Sequence, residues 1–122
     1  MIKPLLLIYP KCGTCKKAMK WLEESKVEVD VRHIVEENPT AEELRTWWEQ
    51  SQLPLKRFFN TSGMKYRELH LKDQLPTMSD QEQLDLLATD GMLVKRPLLV
   101  GETILVGFKV KEWEERFQSD LL

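Results

Sequence analysis

Two cysteines three residues apart, Cys12 and Cys15, stand where one hydrophobic pattern gives way to another. Before them, Leu5–Tyr9 is a continuous apolar run closed by Pro10, which is typical of a strand buried on both faces. After them, Gly13–Ser25 places apolar residues at helical spacing among lysines and glutamates, which predicts an amphipathic helix. The chain is therefore expected to pass from a strand into a helix directly at the first cysteine.

This position favours thiolate chemistry at Cys12. At a helix N-terminus, unpaired backbone N–H groups and the helix dipole stabilise negative charge on a sulfur, so Cys12 is predicted to be the nucleophile. Residues i and i+3 share a helix face at about 5–6 Å, which is within the range for a disulfide, so Cys15 can resolve a mixed disulfide formed at Cys12. Gly13 is expected to let the backbone bend tightly before the helix.

Two other interpretations of the cysteines remain open. They could be ordinary reduced thiols packed in a core, because free cysteine behaves as a small apolar residue. They could also bind zinc, but a structural zinc site needs four ligands, and His33 and His70 are single residues at no recognised finger spacing. We therefore predict no metal site.

The remaining elements follow from periodicity, capping and turn residues. Val27–Val31 alternates apolar and charged residues, which predicts a half-buried strand parallel to the first in a βαβ unit. The middle of the chain is predicted to be mostly helical. Its expected helices are Ala41–Gln50 after a Thr40–Glu43 capping box, a short one at Leu53–Phe59 ended by Asn60-Thr61-Ser62-Gly63, and one that a Ser79–Glu82 box opens and Asp90-Gly91 ends.

The C-terminal part predicts a hairpin and a helix. Leu98–Val100 and Thr103–Phe108 are β-rich runs close enough for an antiparallel pair, with Gly101 supplying the turn geometry, and Val110–Phe117 is expected to be helical. The order βαβ, helices, ββα matches an α/β thioredoxin-like fold with a helical insertion and a small mixed sheet flanked by helices. At 122 residues, a single domain over residues 1–122 is the expectation.

Charge and hydropathy exclude some functions and favour a cytoplasmic protein. The formal net charge of -2 disfavours direct nucleic-acid binding, which rewards a positive face. No apolar run approaches the roughly 20 residues that a membrane span needs, and the first one is too short for a signal peptide. A reducing compartment would keep both thiols free unless their redox chemistry is the function.

Arg96-Pro97, directly before a predicted strand, is the second candidate feature of a site. An X-Pro bond at a strand start can be cis, and in a thioredoxin-type sheet the corresponding loop faces the dithiol. Arg96 is then expected beside Cys12, where it would lower the thiol pKa and bind an oxyanion or an acidic thiol substrate. Without the fold, it is only a surface arginine. Lysines near the cysteines would add a positive field or simply form a solvated helix face, namely Lys11, Lys16, Lys17 and Lys20.

The chain resembles the arsenate reductase and Spx family over nearly its whole length. The resemblance is carried by Tyr9-Pro10-Lys11-Cys12-Gly13-Thr14-Cys15, by Glu37-Asn38-Pro39-Thr40 with Glu43-Leu44, and by Gly91-Met92-Leu93-Val94-Lys95-Arg96-Pro97-Leu98. It implies a thioredoxin-like fold with a helical insertion, a cysteine at position 12 that attacks arsenate, three arginines that hold the oxyanion, and completion of the cycle by glutathione and glutaredoxin. Arg96 matches one of those arginines. Asn60, with Arg57 one turn earlier, stands at the first arginine position and Lys109 near the last.

These considerations predict a thiol-dependent oxidoreductase, either arsenate-reductase-like or a disulfide or mixed-disulfide reductase. It would bind no cofactor and would depend on an external thiol reductant, glutathione with glutaredoxin or thioredoxin. The alternative that the resemblance implies is an Spx-like redox-sensing regulator that binds the C-terminal domain of the RNA polymerase α subunit. The catalytic candidates are Cys12, Cys15 and Arg96, and the substrate-binding candidates are Lys11, Gly13, Thr14, Pro97, Arg57, Asn60 and Lys109.

Overall fold

The computed structural model describes residues 3–121, with side chains up to Phe117. Its strands form one sheet of order β2-β1-β3-β4. The strands are β1 (Leu5–Ile8), β2 (Asp30–His33), β3 (Leu98–Val100) and β4 (Ile104–Val106). The helices are α1 (Gly13–Glu24), α2 (Ala41–Ser51), α3 (Met64–Glu68), α4 (Leu71–Gln74), α5 (Asp80–Leu87) and α6 (Val110–Leu121), with 3-10 turns at Leu55–Phe58, Leu75–Thr77 and Gly91–Leu93. None of the helices in this part of the chain combines the length and the hydrophobicity that a membrane span requires.

The sheet has the mixed topology that the sequence predicts. β1 and β3 are antiparallel, with Leu6 opposite Leu99, and β3 and β4 are antiparallel, with Leu99 opposite Leu105. Because the sheet is mixed, β1 and β2 are its parallel pair, joined by α1 as a βαβ unit. The predicted α/β class with βαβ, helices and then ββα is confirmed.

The chain divides into two compact units. One comprises the chain up to Arg32 together with the chain from Arg96 onward, and the other is His33–Lys95. The first unit contains β1, α1, the β3–β4 hairpin and α6, and the second contains the helical insertion. The expectation of one domain over residues 1–122 stays a prediction.

The core of the first unit lies on one face of the sheet, between β1, β3, α1 and α6. Its buried members are Leu6, Ile8, Cys15, Ala18, Leu22, Leu99, Trp113 and Phe117. Aromatic rings close it at the α6 side, with Phe108 and Trp113 in an edge-to-face contact at 4.9 Å between ring centroids. Leu7 and Leu98 on the opposite face are also fully buried, so β1 is covered on both faces as its sequence predicts.

The predicted second strand was placed too early, because β2 begins at Asp30 and not at Val27. Lys26 has a left-handed backbone with φ 58°, and the Val27 N–H donates to the Leu22 carbonyl at 2.9 Å. This Schellman-type ending of α1 ties Val27 to the helix, so the chain pairs with β1 only from Asp30, whose N–H donates to the Pro4 carbonyl at 2.9 Å.

The hairpin is shorter than predicted, and Gly101 does not shape it as expected. β4 covers only Ile104–Val106, and the left-handed glycine is Gly107, with φ 79°. Gly101 lies against Pro4 instead, where an added Cβ would stand 3.4 Å from the Pro4 Cβ. The prediction that Gly101 supplies special turn geometry was therefore wrong.

In the second unit, both predicted capping boxes are confirmed. The Thr40 hydroxyl accepts the Glu43 N–H at 3.1 Å, and Ser79 and Glu82 repeat the arrangement at the start of α5. The short helix expected at Leu53–Phe59 is a 3-10 turn at Leu55–Phe58. α5 ends at Leu87, earlier than expected, and α3 and α4 were not predicted.

Asp90 and Gly91 do not end α5 but start the 3-10 turn that follows it. The Asp90 carboxylate accepts the Met92 N–H at 2.8 Å, which makes Asp90 the cap of the turn Gly91–Leu93. Gly91 is buried, and an added Cβ would collide with the Ile34 carbonyl group. Glycine is thus required at position 91 by close packing and not by the end of a helix.

Candidate active site around the two cysteines

Cys12 is the N-cap residue of α1. Its backbone is extended, with φ -87° and ψ 118°, and its Sγ accepts a hydrogen bond from the Cys15 N–H at 3.3 Å. Its own N–H donates to the Tyr9 carbonyl at 2.9 Å, which fixes the turn between β1 and α1. A sulfur therefore occupies the place where Ser, Thr, Asp or Asn usually caps a helix, and it meets N–H groups that favour a negative charge.

The pKa of the Cys12 thiol lies below its ordinary value. Partial burial raises the pKa, but the Cys15 thiol and backbone N–H both donate hydrogen bonds to the Cys12 sulfur and lower it. The charge of Arg96 and the Thr14 N–H lower the pKa further, and together these interactions outweigh burial. A larger thiolate fraction at neutral pH follows.

Cys15 lies one turn further along α1 in a contrasting environment. It is 1% exposed and belongs to the buried core of the first unit. Burial, the hydrogen bond to Cys12 and the neighbouring Cys12 charge raise its pKa to about 12. Both cysteines are free thiols in the structure, and their pKa values are shifted in opposite directions.

Arg96 lies two residues before β3, with its guanidinium over the ring of Tyr9. The Cζ atom is 5.3 Å from the ring centroid, within the range of a cation–π contact. The Arg96-Pro97 peptide bond is cis, as the sequence suggested, and Arg96 is half-buried. The structure thus brings Arg96 into electrostatic range of Cys12, where its charge lowers the thiol pKa.

The other candidates in the first unit lie around this centre. Lys11, Gly13 and Thr14 are exposed beside Cys12. Gly13 is the first residue of α1 and has no left-handed backbone, and an added Cβ would meet nothing within 4 Å. The expectation that Gly13 is needed for a tight bend was therefore wrong, and its position leaves open space next to Cys12.

A hydrogen bond joins the residue before β3 to the residue after β4. The Gly107 N–H donates to the Pro97 carbonyl at 2.8 Å. Lys109 is exposed just before α6, and its carbonyl accepts the Trp113 N–H at 3.1 Å. Pro97 is itself buried. Lys109 is therefore two residues after Gly107, the residue that contacts Pro97.

Arg57 and Asn60 lie in the second unit. Arg57 is exposed in the 3-10 turn at Leu55–Phe58, and the Asn60 N–H donates to the Leu93 carbonyl at 2.8 Å. The histidines are engaged in local structure: His33 Nδ1 accepts the Glu36 N–H at 3.1 Å, and His70 precedes α4 with a left-handed backbone. Among the side chains that the structure describes, residues 3–117, no group of three or more His, Cys, Asp or Glu could hold a metal ion.

Tyr9 is the site residue that sequence reasoning missed. It follows β1 directly, is half-buried, and contacts Arg96 through its ring and Cys12 through its carbonyl. The available signal was an aromatic residue between a buried strand and the Pro10-Lys11-Cys12 turn. An arginine 87 positions later could not be assigned to that ring without the tertiary fold.

Comparison with known proteins places this site in a recognised sequence family. The sequence model of the ArsC family matches residues 7–116. YusI of Bacillus subtilis, an uncharacterised protein, is 60% identical over 110 residues, which cover 89% of this chain and 93% of YusI. The regulatory protein MgsR of Bacillus subtilis is 30% identical over 105 residues, covering 85% of this chain and 82% of MgsR.

A solved structure supports the same assignment. The structure of a possible arsenate reductase from Streptococcus mutans has a TM-score of 0.85 to this chain at 42% identity, covering 93% of this chain and 99% of that one. With the sheet order described above, this similarity confirms the predicted thioredoxin-like fold. The similar proteins thus include one described as a possible reductase and one named as a regulator.

Proposed function

This chain belongs to the ArsC family, and on that basis we propose that it is a thiol-dependent oxidoreductase that reduces disulfides through Cys12 and Cys15. One observation carries the proposal. The Cys12 sulfur caps α1, accepts the Cys15 N–H at 3.3 Å, and has the second thiol buried directly behind it. A structural pair of thiols would need neither the helix N-terminus nor a thiol of lowered pKa.

The first step is attack of the Cys12 thiolate on one sulfur of a substrate disulfide. A bond forms between Cys12 Sγ and that sulfur, the substrate S–S bond breaks, and the other sulfur leaves as a thiolate that takes a proton from solvent. The half-exposed position of Cys12 and the open space at Gly13 give the substrate access.

The second step is attack of Cys15 on the Cys12 sulfur of the mixed disulfide. The Cys12–Cys15 bond forms, the mixed disulfide breaks, and the released substrate thiolate takes up the Cys15 proton. In the mixed disulfide, Cys12 no longer carries the negative charge that raises the Cys15 pKa. The resolving thiol therefore becomes easier to deprotonate only after the substrate has reacted.

An external thiol closes the cycle by supplying two electrons to the Cys12–Cys15 disulfide. Glutathione with glutaredoxin, or thioredoxin, is the reductant we propose. A cytoplasmic location, where such thiols are abundant, fits this role. No bound cofactor takes part in either step.

The substrate we propose carries negative charge close to its reacting atom. Arg96, Lys11 and Lys109 are the cations of the first unit that would attract it, and a glutathione mixed disulfide has carboxylates to meet them. Arsenate is the other anionic candidate, supported by the similarity to a possible arsenate reductase. Asn60 and Lys109 stand where the family has arginines that hold arsenate. Their presence favours the mixed disulfide over arsenate as the substrate.

Steady-state reduction of a glutathione mixed disulfide, followed through glutathione reductase, tests the proposal. Cys12→Ser is expected to abolish turnover, and Cys15→Ser to accumulate protein carrying one glutathione on Cys12, detected by mass spectrometry. Arg96→Gln is expected to lower kcat/KM roughly tenfold, which is the effect of losing about one charge-assisted contact. Arg67→Gln, at an exposed residue of α3, serves as the matched control. Absence of turnover by the wild type with both the mixed disulfide and arsenate would contradict the proposal.

A second candidate is a redox-sensing regulator, favoured by the 30% identity to the regulatory protein MgsR. In this case the Cys12–Cys15 disulfide would change the affinity for a partner, which we propose to be the C-terminal domain of the RNA polymerase α subunit. Binding of that purified domain, measured for the reduced and the oxidised protein, tests it. Equal absence of binding in both redox states, together with turnover in the assay above, would eliminate the regulator.

A further inference from the structure

Tyr9 contacts all three groups of the candidate site. Its carbonyl accepts the Cys12 N–H at 2.9 Å, and its own backbone N–H donates to the Cys15 sulfur. Its ring lies under the Arg96 guanidinium at 5.3 Å from Cζ to ring centroid. The backbone contacts are available to any residue at this position, whereas the ring contact requires an aromatic side chain.

The ring matters because an arginine side chain has many rotamers. A half-buried guanidinium at a strand start can extend into solvent, where its effect on a thiolate is screened. Attraction between the planar cation and the face of the tyrosine ring favours the rotamers that lie over Tyr9. Tyr9 in turn is held at the end of β1, next to the turn that leads to Cys12.

We propose that Tyr9 is the positioning residue of this site, whose aromatic face holds the Arg96 guanidinium beside the Cys12 sulfur. Tyr9 acts through Arg96 and does not itself contact substrate. The consequence for turnover rests on the proposed function, but the effect on Cys12 does not, because the reactivity of the thiol can be measured with no substrate.

The test is a double-mutant cycle on the reduced protein, with the apparent pKa of Cys12 read from the pH dependence of alkylation by iodoacetamide. Tyr9→Leu is expected to raise that pKa by about half a pH unit, so that alkylation below the pKa slows roughly threefold. Tyr9→Phe keeps the ring face and is expected to match the wild type. Arg96→Gln is expected to raise the pKa at least as much as Tyr9→Leu does, and to remove any further effect of Tyr9→Leu.

Three outcomes would overturn the proposal. They are an unchanged pKa in Tyr9→Leu, an equal effect of Tyr9→Leu with and without Arg96, and a Tyr9→Phe variant that behaves like Tyr9→Leu.

If circular dichroism shows that Tyr9→Leu does not fold, Arg96→Lys provides the test, because lysine keeps the charge but loses the planar contact. We then expect a pKa between those of the wild type and Arg96→Gln, and a value equal to the wild type would overturn the role of the ring. If the predicted pattern occurs without disulfide turnover, the proposed function fails and the positioning role stands.

Discussion

Cys12 and Cys15 have the same side chain, and their opposite properties arise from position. Cys12 lies just outside the first turn of α1, where N–H groups point at its sulfur. Cys15 lies three residues inside, against the core, where burial disfavours its charged form. The proposed two-step chemistry therefore depends on a helix boundary that falls between the two residues.

Native alkylation is expected to distinguish the two thiols. At pH 7, limiting iodoacetamide should modify Cys12 and leave the buried Cys15 unmodified, and both should react after unfolding in guanidinium chloride. Peptide mass spectrometry identifies the modified residue, and Cys12→Ser is the control that should incorporate no label in the native state. Labelling of Cys15 at a comparable rate would contradict its burial.

Gly91 and Gly13 form a matched pair for packing. An added Cβ at Gly91 would collide with the Ile34 carbonyl group, whereas at Gly13 it would meet nothing within 4 Å. Gly91→Ala is expected to lower the free energy of unfolding by about 2–3 kcal/mol. Gly13→Ala is expected to leave it unchanged or raise it by up to about 1 kcal/mol, because alanine is the better helix former. Urea unfolding measures both free energies. Equal effects of the two substitutions would contradict the close packing of Gly91 against the Ile34 carbonyl group.

At the scale of elements, side-chain caps define where the helices of the second unit begin. Thr40 and Glu43 exchange hydrogen bonds with each other's backbone at 3.1 and 3.0 Å. Ser79 and Glu82 do the same at α5. Hydrogen bonds from the Ser79 backbone N–H and side chain to the Glu82 carboxylate hold the pKa of that carboxyl below its ordinary value. The ionised carboxyl therefore stabilises the folded state above its ordinary pKa, and this stabilisation is lost as pH falls through the lowered pKa.

The cap at Thr40 can be tested against a second threonine on the same helix. Thr40→Ala is expected to lower the free energy of unfolding by about 1 kcal/mol, because it leaves the Glu43 N–H without its acceptor. Thr46, inside α2, only donates to the Glu42 carbonyl at 3.1 Å, so Thr46→Ala is expected to be neutral or slightly stabilising. Urea unfolding of the two variants gives the comparison, and a larger loss for Thr46→Ala would contradict the capping assignment.

At the scale of the whole molecule, the thiols make stability depend on pH. The Cys15 pKa is raised to about 12, so its contribution is complete below its ordinary pKa of about 8.5 and is lost as pH rises towards 12. The Cys12 pKa is lowered, so its contribution is present above about 8.5 and is lost as pH falls through the lowered pKa. The two thiols therefore act in opposite directions.

Unfolding of the reduced protein at pH 8 and pH 10 isolates the Cys15 contribution. We expect the wild type to lose about 1–2 kcal/mol more than Cys15→Ala over this interval, because unfolding releases the buried thiol to ionise. Urea unfolding under a non-thiol reductant gives the change in the free energy of unfolding between the two pH values for each protein. An equal loss in both proteins would show that Cys15 has an ordinary pKa in the folded state.

Features that depend on neighbouring residues could be predicted from the amino-acid sequence. The strand–helix junction at Cys12 and the boxes at Thr40 and Ser79 follow from local patterns, and the structure contains them, whereas the sequence only allowed the Arg96-Pro97 bond to be cis. The thioredoxin-like order of elements followed from the same patterns, because hydrophobic periodicity reflects the face that each element buries.

Features that depend on residues far apart in the chain required the folded structure. The start of β2 at Asp30 was set by the ending of α1 and by pairing with β1, against a valine alternation that predicted Val27. The burial of Cys15 required α6 and β3, and the contact of Arg96 with Tyr9 required the sheet that brings the two together. Local patterns describe the residue types that a site can use, but the charge, burial and pKa of each group depend on neighbours that only the folded chain supplies.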